Sequence, residues 1–436
     1  MRYETVMRPT VIVVGGDENA LSVARSLAPA GIRVHLLNRR HRPAGYSRQA
    51  RSIALDGDAS GPADWARFLT SSASDWLAGA VLLTCSDEAI ELVLDNWQAL
   101  AAKFRLEICP PAVRRALLDK LDTYRIAAGA GVPVPGFWIA EDAADLERIT
   151  GEARFPLLVK PRLSHHSLKI GRKHIRADTP SELAAAFVRV AALGIPAVVM
   201  EFIPGGDDRL CSYYTYIDAD GRPLLHFTKR HPRRYPMNLG RATFHETTWN
   251  PEAAELGERF FRHAGLRGLG NIEFKRDDRD GRLKIIEANA RFTASNALAE
   301  RCGLNLALIV HAGLTGTPPP VPLDYPKGMT MWFPLEDVLA FLQLRREGQM
   351  TWTAWLRSVC RASVLPYFRA DDPLPSVVNF MQRVQALAGH WRKRGKTPGT
   401  RVQKPYGSRH PDRSEAESRD PESGGNPGFP LARERR

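Results

Sequence analysis

Residue types able to do chemistry concentrate in one stretch, Gly270-Asn-Ile-Glu-Phe-Lys-Arg-Asp-Asp-Arg-Asp-Gly-Arg-Leu-Lys-Ile-Ile-Glu-Ala-Asn-Ala-Arg291. Its pattern predicts two strands joined by the polar turn Asp277-Asp-Arg-Asp-Gly281. Strand side chains alternate faces, so Asn271 and Glu273 share one face, as do Glu287, Asn289 and Arg291. A turn centred near Asp280 sets Glu273 opposite Glu287 and Asn271 opposite Asn289. Facing carboxylates repel unless a cation lies between them. Carboxylate and amide oxygens without His or Cys suit Mg²⁺ or Mn²⁺, and Mg²⁺ keeps positions for water and phosphate oxygens. Arg291, one strand repeat on, has the fork to hold a carboxylate or phosphoryl group. A solvated hairpin face accounts for the same residues.

Other stretches add cations and a turn. Phe155-Pro-Leu-Leu-Val-Lys160 is an apolar strand ending in a lysine, which is out of place in a core and useful beside a cleft. The basic loop from Arg162 to Lys173 follows it, either folding over phosphates or simply solvated. Ala197-Val-Val-Met-Glu201-Phe-Ile-Pro-Gly-Gly-Asp-Asp208 is a strand leaving through a turn into two acids. Such a turn offers backbone groups to a base, and an acid a few residues on can take ribose hydroxyls. A plain strand and turn reads equally from it. Lys229-Arg-His-Pro-Arg-Arg-Tyr is expected between two strands, as a solvated loop or an anion site.

The elements that must position these residues begin with a βαβ unit. Thr10-Val-Ile-Val-Val-Gly-Gly opens a helix, and Gly31-Ile-Arg-Val-His-Leu-Leu supplies the next strand. The turn lacks G-x-G-x-x-G, Asp17 and Glu18 would repel a pyrophosphate, and no acid ends the second strand, so NAD is excluded. Ser86 is expected to cap a helix whose first turn holds Asp87 and Glu88. Beyond the Pro-rich run after Gly316, Trp332, Phe341, Trp352 and Trp355 predict a helical extension held by aromatic packing. Val378, Phe380, Met381 and Val384 predict a further amphipathic helix, with packing preferred over a partner or membrane surface.

The chain has 436 residues, enough for two or three domains. It has no apolar run of membrane-spanning length and no signal-peptide core. The five cysteines are scattered without C-x-x-C, which fits the cytoplasm. Of the net charge of +13, the segment 391–436 carries 12 Lys and Arg against 6 Asp and Glu. That Pro-, Gly- and Ser-rich tail is expected to be disordered, and nucleic acid is not an expected partner.

Lys120, Lys160, Glu201-Phe202-Ile203, Asp208, Glu273, Glu287, Asn289 and Arg291 occur in an order that resembles the ATP-grasp superfamily, from about residue 10 to 320. Met200-Glu-Phe-Ile-Pro-Gly-Gly-Asp-Asp208 and the Trp-rich C-terminal segment look most like carboxylate–amine ligases related to D-aspartate ligase. The resemblance implies an α/β fold: a Rossmann-like pre-ATP-grasp domain over 1–111 and an ATP-grasp domain over 112–320 with its lid at about 132–203. A helical extension over 321–392 and a disordered basic tail over 393–436 complete the expected division. It implies that Lys120 and Lys160 contact ATP phosphates, Glu201, Phe202 and Ile203 hold adenine, and Asp208 binds ribose. It also implies that Glu273, Glu287 and Asn289 ligate two Mg²⁺ (or Mn²⁺) ions and that Arg291, with Lys160, serves the reacting carboxylate or acyl phosphate. Lys229 is a further candidate for phosphate or substrate. The implied reaction joins a small carboxylate to an amine with release of ADP and phosphate, and a homodimer is a compatible assembly. The rival reading is an ATP-grasp module that binds nucleotide without ligation. One departure is plain: the phosphate-covering loop has only Gly171 where the family is Gly-rich.

Overall fold

The structure, a computed structural model, describes residues 8–55, 61–316 and 324–394. The expected tail lies outside the described residues from 395 onward, as does the Pro-rich run at 317–323. Up to Trp391 the chain forms one compact unit.

The first sheet is parallel: β1 (Val11–Val14), β2 (Val34–Leu37), β3 (Arg51–Ser52), β4 (Val81–Thr84) and β5 (Arg105–Leu106), in the order β3-β2-β1-β4-β5. All four β1 residues are buried because both faces are covered, as continuous apolar strands require. Val11 and Val13 pack with Leu21 and Leu27 of helix Glu18–Leu27, while Ile12 and Val14 pack with Trp65 and Leu69 of helix Pro62–Thr70. The Gly15-Gly16 turn is dictated by space. A Cβ on Gly15 would sit 2.3 Å from Ser86 Oγ, and one on Gly16 would sit 2.8 Å from the Cys85 carbonyl, with φ at +68° and +83°. Ser86 caps helix Asp87–Asp95 by accepting from Ala89 N at 3.2 Å.

The second sheet contains β6 (Phe137–Trp138), β7 (Leu157–Pro161), β8 (Ile175–Ala177) and β9 (Ala197–Glu201), ordered β6-β9-β7-β8 and antiparallel. Leu157, Val159 and Val199 pack under Ile149, Leu183 and Val190 of helices Ala143–Glu152 and Pro180–Ala191.

The third sheet positions the site. Its strands are β10 (Leu210–Ile217), β11 (Phe227–Tyr235), β12 (Arg241–Thr248), β13 (Gly268–Arg276), β14 (Leu283–Asn289) and β15 (Thr330–Trp332), ordered β14-β13-β10-β11-β12-β15. One face is apolar: Tyr213, Ile272 and Phe274 pack against Phe260 and Phe261 of helix Pro251–Ala264 and Leu121 and Tyr124 of helix Lys120–Gly129. The opposite face divides. Tyr214, Tyr216, Phe227 and Leu269 join the core under β1, whereas Ser212, Lys229, His231 and Glu273 form a polar strip.

Three expectations differ from the structure. The basic run Lys229–Tyr235 is itself strand, part of β11, rather than a loop between strands. Pro232 donates no ladder hydrogen bond, and the register against β12 shifts between Arg230 and Arg233 around it. The C-terminal extension is not purely helical, because β15 pairs with β12, Phe244 opposite Trp332. Aromatic packing there also has a polar centre. Asp337 is fully buried and accepts from Arg233 at 2.7 and 2.9 Å, from Thr243 at 2.8 Å, and from the Trp332 and Trp355 indoles at 3.0 and 2.9 Å. Finally, Phe380 and Met381 of helix Leu374–Arg394 are each 54% exposed, so the apolar face expected to pack stands open among the described residues.

Candidate active site

A cleft of about 390 Å³ opens over the third sheet, bounded by residues of the second sheet and by the start of helix Glu18–Leu27. Its volume lies in the range of small-molecule sites. The expected register holds: Glu273 pairs with Glu287 and Asn271 with Asn289. Both glutamates and Asn289 line the cleft. The turn between their strands places Gly281 at φ +70°, and Asp277, fully buried, is held by Lys284 at 2.7 Å and Arg279 at 2.7 Å.

Of the other expected residues, Lys120, Lys160, Phe202, Ile203 and Arg291 line the same cleft. Lys120 follows the N-cap Asp119, which accepts from Leu121 N at 2.8 Å and is gripped by Arg162, and the Lys120 ammonium donates to Ser164 Oγ at 2.6 Å. Lys160, 8% exposed, ends the buried strand β7. Burial and the neighbouring Lys120 cation push its ammonium down to about 7. Arg291 donates to Asp87 at 2.6 Å, and that pair ties the chain just after β14 to the helix Ser86 caps. Although burial works against it, the Arg291 charge holds the Asp87 carboxyl below its ordinary range.

Three expected residues do not line the cleft: Glu201, Asp208 and Lys229. The Glu201 carboxylate turns to Arg279 at 3.3 Å, which leaves Phe202 and Ile203 as the cleft-lining residues of this turn. Asp208 is exposed, while its neighbour Asp207 is buried and accepts from Asn238 N at 3.0 Å. Lys229 is 1% exposed, with its ammonium 2.5 Å from His231 Nε2 and 3.2 Å from His245 Nδ1. Sequence reasoning missed His174, Arg241, His245 and Lys275, and it left Lys173, His231 and Arg234 in runs read as solvated or anion-binding and Glu18 only as a charge against a pyrophosphate; all are in the lining. Glu18 accepts from Arg241 and, at 2.8 Å, from Tyr367. Burial, with Lys160 and Arg234, lowers His174 to about 3, so that ring is neutral. The strand alternation of Lys229 and His231 was the one available signal for the histidines.

The lining carries Lys120, Lys160, Lys173, Lys275, Arg234, Arg241 and Arg291 against Glu18, Glu273 and Glu287. That excess suits a polyanion. Among the described residues, Glu273 and Glu287 make no ion pair, and no group of three or more His, Cys, Asp or Glu gathers as a metal site. Two free carboxylates and an amide fit Mg²⁺, which takes one or two carboxylates and completes its shell with water and phosphate oxygens. They fit poorly a metal that needs a closed protein cage.

A family model described as the ATP-binding domain of the carbamoyl-phosphate synthase L chain matches residues 253–312, the span holding Glu273, Glu287, Asn289 and Arg291. D-aspartate ligase of Enterococcus faecium is 24% identical over 367 residues, covering 78% of this chain and 85% of that protein. The fold is that of the ATP-grasp superfamily. The D-alanine–D-alanine ligase B of Chromobacterium violaceum is 24% identical over 39% of this chain, which spans only 56% of that relative's length. Among solved structures, the biotin carboxylase domain of 2-oxoglutarate carboxylase from Hydrogenobacter thermophilus, in complex with MgADP and bicarbonate, superposes with a TM-score of 0.59 at 16% identity, covering 74% of this chain and 73% of that one. The L-amino acid ligase of Bacillus licheniformis gives 0.52 at 18%, covering 70% and 74%. These likenesses establish the ATP-grasp fold, and with the named ligases they mark an ATP-dependent ligase that forms C–N bonds. No helix among the described residues is long and apolar enough to cross a membrane.

Proposed function

We propose that this ATP-grasp ligase joins a small carboxylate to an amine through an acyl phosphate. The observation that carries the reading is the paired Glu273 and Glu287, which make no ion pair among the described residues, in a cleft otherwise rich in lysine and arginine. In the first step a carboxylate oxygen attacks the γ-phosphorus of ATP and ADP leaves. In the second the amine attacks the acyl carbon, phosphate leaves, and the amine gives up a proton. Lys120 and Lys160 neutralise the phosphates, and Arg291 holds the reacting carboxylate and then its acyl phosphate. Bound divalent ions, two in our reading, supply charge neutralisation at the β- and γ-phosphates. Glu273, Glu287 and Asn289 hold them. The turn Glu201-Phe202-Ile203 carries adenine, and Asp208 takes the ribose, reaching it only if the segment after Gly206 adjusts. Lys229 acts at one remove, through the histidines that it holds.

In this reading residues 1–111 form the pre-ATP-grasp domain, 112–320 the ATP-grasp domain with a lid at about 132–203, and 321–392 an extension that completes the sheet. The test is phosphate release from Mg·ATP with pools of amino acids, dipeptides and simple amines, with ADP and AMP separated by mass spectrometry. ADP formed only with particular pools is the expected result, and Glu287→Ala removes it while circular dichroism stays unchanged. Production of AMP, or full turnover by Glu287→Ala, overturns the assignment.

A further inference from the structure

The polar strip on the cleft floor contains a donor with no hydrogen-bond partner among the described residues. His245 of β12 is 4% exposed and lines the cleft, and its Nε2 has no hydrogen-bond partner. The Ala242 carbonyl is near enough to favour the protonated ring, yet it forms no hydrogen bond with Nε2. The other ring nitrogen, Nδ1, lies 3.2 Å from Lys229 Nζ. Lys229 as an ammonium can only donate. Nδ1 therefore accepts, and the neutral ring must carry its proton on Nε2. Lys229 is itself locked, with His231 Nε2 at 2.5 Å and the Tyr214 ring beneath it at 5.8 Å, and His231 in turn meets Ser212 Oγ at 3.0 Å.

We infer that Lys229 fixes the tautomer of His245 so that its Nε2–H binds a carboxylate oxygen of the substrate, remote from the reacting end. A buried donor without a partner costs about 1–3 kcal/mol, so its retention in a cleft wall is explained by an acceptor that arrives with the ligand. β12 lies three strands from β13, roughly 14 Å across the sheet at the usual strand spacing, so this acceptor is not a phosphate oxygen held near Glu273. Arg241, on the same strand, is already paired with Glu18, but Arg234 of β11, opposite Ala242 and also in the lining, favours an anionic acceptor. The ligand class is a small molecule whose second polar end is a carboxylate. This assignment rests on the ligase reading for the identity of the ligand, but the tautomer does not depend on it.

Full-length protein labelled with ¹⁵N-histidine reports the tautomer directly. The expected spectrum at pH 7 shows His245 neutral with Nε2 protonated, assigned by loss of its signals in His245→Phe. Lys229→Met should mix the two tautomers. Titration with D-aspartate, L-aspartate and succinate, with and without Mg·ADP, should shift the His245 Nε2–H resonance for at least one of them. His245→Phe should weaken that carboxylate about tenfold or more, His245→Gln should restore part of the loss, and neither should change Mg·ATP affinity. A Nδ1-protonated or doubly protonated His245 overturns the inference. So does a correct tautomer whose Nε2–H moves with none of the three carboxylates. If Lys229→Met fails to fold, the wild-type tautomer and the His245 pair still decide it. Absence of Mg·ATP binding would refute the ligase reading alone.

Discussion

Lys160 gives the ligase reading a pH signature. Its ammonium sits 8% exposed at the end of β7, and burial together with Lys120 lowers it from an ordinary 10.5 to about 7. Only the charged form grips phosphate. Affinity therefore scales with the protonated fraction of the free protein. That fraction is about 0.9 at pH 6 and about 0.1 at pH 8, so Mg·ATP binding weakens about tenfold between them. Binding at pH 8 also takes up close to one proton. Isothermal titration at saturating Mg²⁺, in buffers of different ionisation enthalpy, reads both quantities. Lys275, lowered to about 8 by burial, adds to the loss above that pH, so the comparison with Lys160→Arg isolates the effect. Arginine stays charged, and that variant should bind with little change from pH 6 to 8. The same shift acts oppositely on folding. From about pH 7 to 10.5 the unfolded chain holds a proton that folded Lys160 has shed, so this group makes stability rise with pH across that window. A flat affinity profile without proton uptake in the wild type would refute the reasoning.

Two structural predictions accompany it. Asp337→Ala strands the buried Arg233 guanidinium and should cost about 3–5 kcal/mol in urea unfolding followed by tryptophan fluorescence, whereas Arg233→Met combined with Asp337→Leu should recover most of it. A single variant within about 1 kcal/mol of the wild type would show that the network carries little. Gly16→Ala, at φ +83° and pressed against Cys85, should lower stability by about 1–3 kcal/mol while leaving Mg·ATP affinity intact, and an unchanged melting temperature would remove the spatial argument.

Much of the site was legible because it is local. A period of two and a five-residue turn determine that Glu273 faces Glu287, and both signals lie within one stretch of sequence. The parallel sheet was legible for the same reason, its buried strands being continuous apolar runs. The rest depends on partners that sequence proximity does not announce. Lys229 reads as a solvent-facing cation until β12 brings His245 against it, sixteen positions later. Asp207 and Asp208 are adjacent acids, and only the Asn238 amide separates the buried one from the exposed one. Pro232 disguised a strand as a loop, since a bulge tolerates what a regular ladder excludes. A three-residue strand such as β15 has too few residues to show a period.

The pairing of β15 with β12 has a consequence for synthesis on the ribosome. The floor of the cleft is one sheet, yet its last strand is made more than eighty residues after the first residue of β12. Until Thr330–Trp332 emerges, β12 presents an open row of backbone donors and acceptors, and Arg233 waits for Asp337. The nascent chain thus spends part of its synthesis with Glu273 and Glu287 already made and its sheet still unsealed. Chaperone engagement should concentrate in that interval and end once residue 337 has cleared the exit tunnel.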